Sequence, residues 1–181
     1  MSRLLLDFLR KGGLIIYARH GEATVGRDLP NLTFQNCLTQ RNLSEKGRRQ
    51  AIYYGEILRY IRIPINFPVA ASPLCRTIET AQLAFGSGNV QVDLFWVEVY
   101  KLSESLPSGE RQRILNRLQS ILESKPEGGK NNIIIAHSFS EGIGLGRIPN
   151  MGTVIVKPRG IGNGYELIAQ LSLSDLSRLG S

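Results

Sequence analysis

The chain alternates between short, almost unbroken apolar runs and longer stretches in which apolar residues recur three or four positions apart. The runs at 14–18 (LIIYA), 68–71 (PVAA) and 133–136 (IIIA) have the length and continuity of strands covered on both faces. Residues 90–92 (VQV) are a weaker candidate. Residues 153–157 (TVIVK) and 165–170 (YELIAQ) flank PRGIGNG, which predicts a hairpin over a glycine-rich turn. Between the runs lie helical patterns. Ser44 opens one that continues to about Ile61, with Ala51, Tyr54, Leu58 and Ile61 on one stripe. Ser72-Pro73 opens a second: serine fits the N-cap, proline the first helical position, and Gly86 the stop. A third spans about 109 to 124 and turns Ile114, Leu115, Leu118, Ile121 and Leu122 inward. Strands alternating with helices predict an α/β fold with a mainly parallel sheet, as one domain over residues 1–181.

Two segments stand outside this alternation. The amino-terminal MSRLLLDFLRKGG predicts a short helix on the domain surface, its Leu and Phe positions packing there or serving a partner. Asp7 breaks its apolar stretch and no small-residue cleavage site follows, which argues against a secretory signal. Residues 25–43 show neither period and predict a long polar loop, either a functional lid or a disordered segment.

Composition narrows the function classes. No stretch approaches the roughly 20 apolar residues of a membrane span, so no membrane partner is expected. The formal charge of +7 and pI near 9.7 raise a nucleic-acid reading. However, Arg48, Arg49, Arg59 and Arg62, like Arg111, Arg113 and Arg117, fall at helical spacings. No aromatic residues interleave with them to stack bases, so solvated helix faces are the simpler account and nucleic acid is disfavoured. The same positive field attracts small anions. The two cysteines, Cys37 and Cys75, form neither a disulfide framework nor a zinc spacing, which predicts free thiols in a reducing cytoplasm. Cys75 as a nucleophile needs an activating histidine, and none is near it in sequence.

The candidate chemistry lies at the ends of the apolar runs. The chain has two histidines, His20 and His137, and each directly follows a strand-like run. In an open α/β sheet, sites form beyond the carboxyl ends of parallel strands, so both imidazoles are expected at one sheet edge. Arg19 adjoins His20, and Arg76 falls in the first turn of the helix predicted after PVAA. A cation there opposes the helix dipole at a cost of about 0.3–1 kcal/mol, a penalty that reverses when an anion binds between the arginine and the helix amides. Two guanidinium forks and two imidazoles together suit a tetrahedral oxyanion. Gly21 would let the backbone turn and let the anion approach.

RHGE after the first strand, SPLCRTIETA after the second and IIIAHS after the third resemble the histidine phosphatase superfamily, which includes the cofactor-dependent phosphoglycerate mutases and many small phosphomonoesterases. The resemblance runs from about Leu14 to His137 and more loosely to the end. It implies a three-layer αβα, phosphoglycerate mutase-like fold and a metal-independent phosphatase without a cofactor. His20 would be the nucleophile, forming a phosphohistidine. Arg19, Arg76 and His137 would hold the phosphoryl oxygens, with Ser138 as a further phosphate contact. Glu22 would orient neighbours. The proton donor would be an acid near Glu98, with Glu104 or no residue of this segment as the alternatives. Where the mutases carry a phosphate-binding asparagine, this chain has Ala23-Thr24-Val25-Gly26, which leaves Thr24 as the candidate there. That departure and the short chain favour a phosphatase over a mutase or other phosphotransferase; a non-catalytic phosphate-sensing member is the further alternative. The expected partner is a small phosphorylated metabolite or inorganic phosphate. Arg27 or Arg41 would bind a second acidic group of the substrate or remain solvated.

Overall fold

The computed structural model describes residues 2–181. Its strands are β1 (Ile15–Arg19), β2 (Val69–Ala71), β3 (Val90–Val92), β4 (Asn132–Ala136), β5 (Thr153–Pro158) and β6 (Tyr165–Leu171), joined in one sheet of order β3-β2-β4-β1-β5-β6. The first four in that order run parallel; β5 is antiparallel to β1, and β6 to β5. The period of two along β1 sends alternate residues to opposite faces. Ile16 and Ala18 join one apolar cluster, which α1 (Ser2–Lys11), α2 (Glu45–Tyr60), α3 (Cys75–Phe85) and α6 (Leu173–Ser177) close with Leu9, Tyr54, Ala81 and Leu176. Ile15 and Tyr17 join the other, which α4 (Phe95–Lys101) and α5 (Ser108–Glu123) close with Trp96, Val99, Ile114 and Leu118. Helices therefore cover both faces, which is why β1 and β4 read as unbroken apolar runs.

Local signals explain most element ends. The Ser44 side chain accepts the Gly47 N–H (3.0 Å) and caps α2. Gly86, with φ 91°, stops α3. One predicted cap is displaced: α3 begins at Cys75 with Leu74 before it, and Ser72 caps nothing. The Ser72 amide instead donates to the Ile135 carbonyl (3.1 Å), extending the β2–β4 pairing, and its hydroxyl meets His137. Arg76 still lies in the first turn of α3. Helix α4 has no counterpart in the sequence reading, because seven residues are too few for a 3.6-residue period to stand out.

The long polar segment is folded back on itself. Ala23 bridges Leu43, the Leu29 amide donates to the Thr39 carbonyl, and a 3-10 turn spans Cys37–Thr39. The free-thiol expectation is corrected here: Cys37 and Cys75 form a disulfide, with Cα atoms 5.8 Å apart across a sequence separation of 38. Only the tertiary contact between this loop and the start of α3 brings them together, so their spacing carried no signal.

Candidate active site

Strand register creates the site. Arg19 of β1 stands opposite Ala136 of β4, so the next residue on each parallel strand is a histidine. The His20 amide donates to the Ala136 carbonyl (3.1 Å), carrying the pairing one residue further. The two imidazole centroids are 5.5 Å apart, with planes inclined by 68°. Tyr17 fixes the second histidine from inside the core. Its buried phenol donates to the His137 carbonyl (2.7 Å) and accepts the His137 amide (3.1 Å). Met151, buried in a left-handed conformation (φ 56°), donates its amide to the His20 carbonyl (3.1 Å). Gly21 is needed for a close approach rather than for a turn: a Cβ on it would lie 2.5 Å from the Gly47 carbonyl oxygen, and one on Gly47 would lie 2.0 Å from that of Glu22. The end of β1 thus sits directly against the first turn of α2.

The hydrogen bonds set the chemistry of each ring. His20 Nδ1 faces the Gly21 carbonyl oxygen at 2.7 Å. A carbonyl only accepts, so Nδ1 carries the proton and Nε2 keeps its lone pair. Burial, followed by the nearby Arg76 charge, pushes the His20 pKa down to about 3, so the ring is neutral across the ordinary pH range. His137 Nε2 is 2.7 Å from the Ser72 hydroxyl, while its Nδ1 is buried with no protein partner. A Ser72 hydroxyl that donates to Nε2 would leave Nδ1–H as a donor for a bound anion. Burial, and then the neighbouring His20, Arg76 and Arg19, hold the His137 pKa well below the usual imidazole value.

Two guanidiniums complete the floor. Arg19 Nη1 donates to the Ile148 carbonyl (3.0 Å), and its Nε is buried without a partner. Arg76, 2% exposed, pairs through Nη1 with Asp28 Oδ1 (3.0 Å) and through Nη2 with Oδ2 (3.3 Å); its Nε is likewise unpartnered. Three buried nitrogens without protein partners, the donors Arg19 Nε and Arg76 Nε and the imidazole His137 Nδ1, therefore belong to one site. Burial, then repulsion from Arg41 and Arg76, lowers the Arg19 pKa, the sign of a site crowded with positive charge. The cleft over this floor has a volume of about 620 Å³ and is also lined by Arg41, Tyr100, Ser103, Ser138 and Arg147. Guanidinium groups have no acceptor atoms, so the donor set suits an anion rather than a cation. Among the described residues no group of three or more His, Cys, Asp or Glu side chains is arranged to hold a metal.

The sequence-predicted residues divide clearly. Arg19, His20, Arg76 and His137 converge, and Ser138 lines the same cleft, its hydroxyl accepting the Ile148 amide (2.8 Å). Arg41 lines it too, whereas Arg27 is exposed and outside it. Thr24 is exposed and does not line the cleft; its carbonyl accepts from Arg41 Nε (2.9 Å). Glu22 accepts from the Ser44 hydroxyl (2.9 Å) and pairs with Lys46 (3.4 Å). Glu98 also lies outside the lining, paired with Arg113 of α5 at 3.4 Å. Glu98 and Tyr100 are two positions apart on α4, and residues so spaced point to different sides of a helix, so Tyr100 reaches the cleft instead. Glu104 is exposed and beyond the end of α4. Sequence reasoning missed Asp28, Ser72, Tyr100 and Arg147. Its place as the one acid in a polar loop whose other charged residues are Arg27 and Arg41 was the one signal for Asp28.

The sequence profile of the histidine phosphatase superfamily (branch 1) matches residues 15–98. No curated protein matches the chain in sequence. Several solved structures share its fold over most of both chains. A putative alpha-ribazole-5'-P phosphatase from Escherichia coli str. K-12 substr. MG1655 superposes with a TM-score of 0.60 at 14% identity, covering 90% of this chain and 98% of that one. The protein histidine phosphatase SixA complexed with tungstate gives 0.58 at 16% identity, covering 90% and 99%. A phosphoserine phosphatase from Entamoeba histolytica, in complex with phosphoserine, gives 0.58 at 17% identity, covering 90% and 98%. These likenesses establish the shared α/β fold.

Proposed function

We propose, from this likeness to the histidine phosphatase superfamily and from the site itself, that the protein is a phosphomonoesterase working through a phosphohistidine on His20. The observation that carries the reading is the convergence of an Nδ1-anchored imidazole with three buried, unpartnered nitrogens of Arg19, Arg76 and His137. In the first step the phosphoryl oxygens of a small monoester accept from Arg19, Arg76 and His137. The Nε2 lone pair of His20 attacks phosphorus in line with the leaving oxygen; the P–N bond forms as the P–O bond breaks. The fixed donors meet charge as it develops on the equatorial oxygens, without reorganisation. In the second step water adds to phosphorus, the P–N bond breaks and phosphate departs, with the proton of the water lost to solvent. No carboxylate lines the cleft among the described residues, and the Tyr100 hydroxyl is committed to Asp28 (2.9 Å). The leaving oxygen therefore takes its proton from water at the open mouth of the cleft.

The free-thiol part of the ground for a cytoplasmic location is gone. A Cys37–Cys75 disulfide suits an oxidising compartment. Among the described residues no helix is long and apolar enough to cross a membrane.

The test is release of phosphate from an aryl phosphate with no metal added, compared between the native protein and His20→Ala. The reading requires turnover that the variant loses. Tight oxyanion binding without turnover would favour a phosphate-sensing module. Phosphate passed to an acceptor instead of released would favour a phosphotransferase.

A further inference from the structure

A guanidinium can meet an anion with its end or with its side, and its protein partners decide which. It has five N–H donors in a fixed fork. Arg76 spends three of them on protein: Nη1 donates to Asp28 Oδ1 (3.0 Å) and to the Arg41 carbonyl (3.3 Å), and Nη2 donates to Asp28 Oδ2 (3.3 Å). Asp28 thus grips the end of the fork. The remaining two donors, the Nε–H and the second Nη2–H, form its side edge, and Nε is the atom buried without a partner. A side edge of this kind matches two oxygens of one phosphoryl group.

Asp28 is itself held from several sides. It also accepts the Arg41 amide (2.8 Å) and the Tyr100 hydroxyl (2.9 Å), and its side chain is only 12% exposed. The loop that carries it is anchored at its far end, where Thr39, Gln40 and Leu43 are buried, whereas Val25 and Leu29, on either side of Asp28, are exposed. One tie between the loop and the site is covalent. Cys37 is bonded to Cys75, the neighbour of Arg76, and the Gln40 side chain accepts the Cys75 amide (2.7 Å) beside that bond.

We propose, resting on the phosphatase reading above, that Asp28 is a positioning residue that aims the side edge of Arg76 at the phosphoryl group, and that the Cys37–Cys75 disulfide holds it in register. The disulfide is then part of the active-site assembly, and full activity belongs to the oxidised protein.

Asp28→Asn tests this with little change of shape. Mis-aiming one phosphoryl donor should lower kcat for an aryl phosphate by about 100-fold. KM should stay within about threefold, because the uncompensated Arg76 charge still attracts the anion. The same split should appear without turnover: calorimetry should show orthovanadate, which mimics the transition state, weakened more than about tenfold, and inorganic phosphate changed less than about threefold. Thermal midpoints separate this from unfolding. In a folded Cys37→Ser, Cys75→Ser background kcat should already be reduced, and Asp28→Asn should cost less than about tenfold more. Should the double cysteine variant not fold, native protein treated with a dithiol, which is itself oxidised to its disulfide, serves instead. An Asp28→Asn kcat within about threefold of native, or above it, overturns the proposal, as does a fully multiplicative effect with the cysteine changes. If native protein binds vanadate but releases no phosphate, the phosphatase reading fails while the vanadate comparison still judges Asp28.

Discussion

The two buried imidazoles should make the fold sensitive to mild acid. In the unfolded chain His20 titrates near the ordinary value of about 6.5; in the fold burial and Arg76 push it down to about 3. Below pH 6.5 the unfolded chain therefore binds a proton that the folded chain refuses. Stability must rise with pH through this window: it is complete above pH 6.5 and drains away as pH falls toward 3. Between pH 8 and pH 5 the loss from His20 alone is about 2 kcal/mol, with a limiting slope of about 1.4 kcal/mol per pH unit. His137 is shifted in the same direction and adds to it. Titrating carboxylates contribute to acid unfolding too, so the comparison is between native protein and a His20→Asn, His137→Gln variant. Urea unfolding at pH 8, 6 and 5 gives the free energies. The native protein should lose at least about 2 kcal/mol more than the variant over that range. Equal losses would refute the claim that these rings are buried as neutral bases.

Three further outcomes follow from the geometry. Tyr17→Phe removes the hydroxyl that serves both the His137 amide and its carbonyl, and should cost about 1–3 kcal/mol in urea unfolding. Gly47→Ala places a methyl group 2.0 Å from the Glu22 carbonyl oxygen and should destabilise by about 1–3 kcal/mol with loss of activity, while Gly109→Ala, which meets nothing, should stay within about 0.5 kcal/mol of native. With no carboxyl group lining the cleft among the described residues, aryl phosphates should exceed alkyl phosphates in kcat/KM by at least about 100-fold, a comparison that one coupled phosphate assay can make.

The elements that position the site were legible because each leaves a local physical mark. The runs at 14–18 and 133–136 are unbroken since both faces of β1 and β4 are covered, and helix α2 announces itself through Ser44 and a stripe of apolar residues. What escaped depended on contacts between distant segments. Ser72 reads as a cap until the neighbouring strand supplies His137. Cys37 and Cys75 read as unrelated thiols until the loop folds onto α3. Glu98 and Tyr100 differ by two positions, and only the rotation of a seven-residue helix decides which faces the cleft. Asp28 lies in a segment without a period, where sequence offers no direction for a side chain.

The phosphoryl-enzyme is the most direct test of the central claim. Native protein mixed with an aryl phosphate and quenched within milliseconds should carry one acid-labile, alkali-stable phosphoryl group, mapped by mass spectrometry to His20 and absent from His20→Ala. Turnover with no such adduct, or with the phosphoryl group on any other residue, would contradict the account.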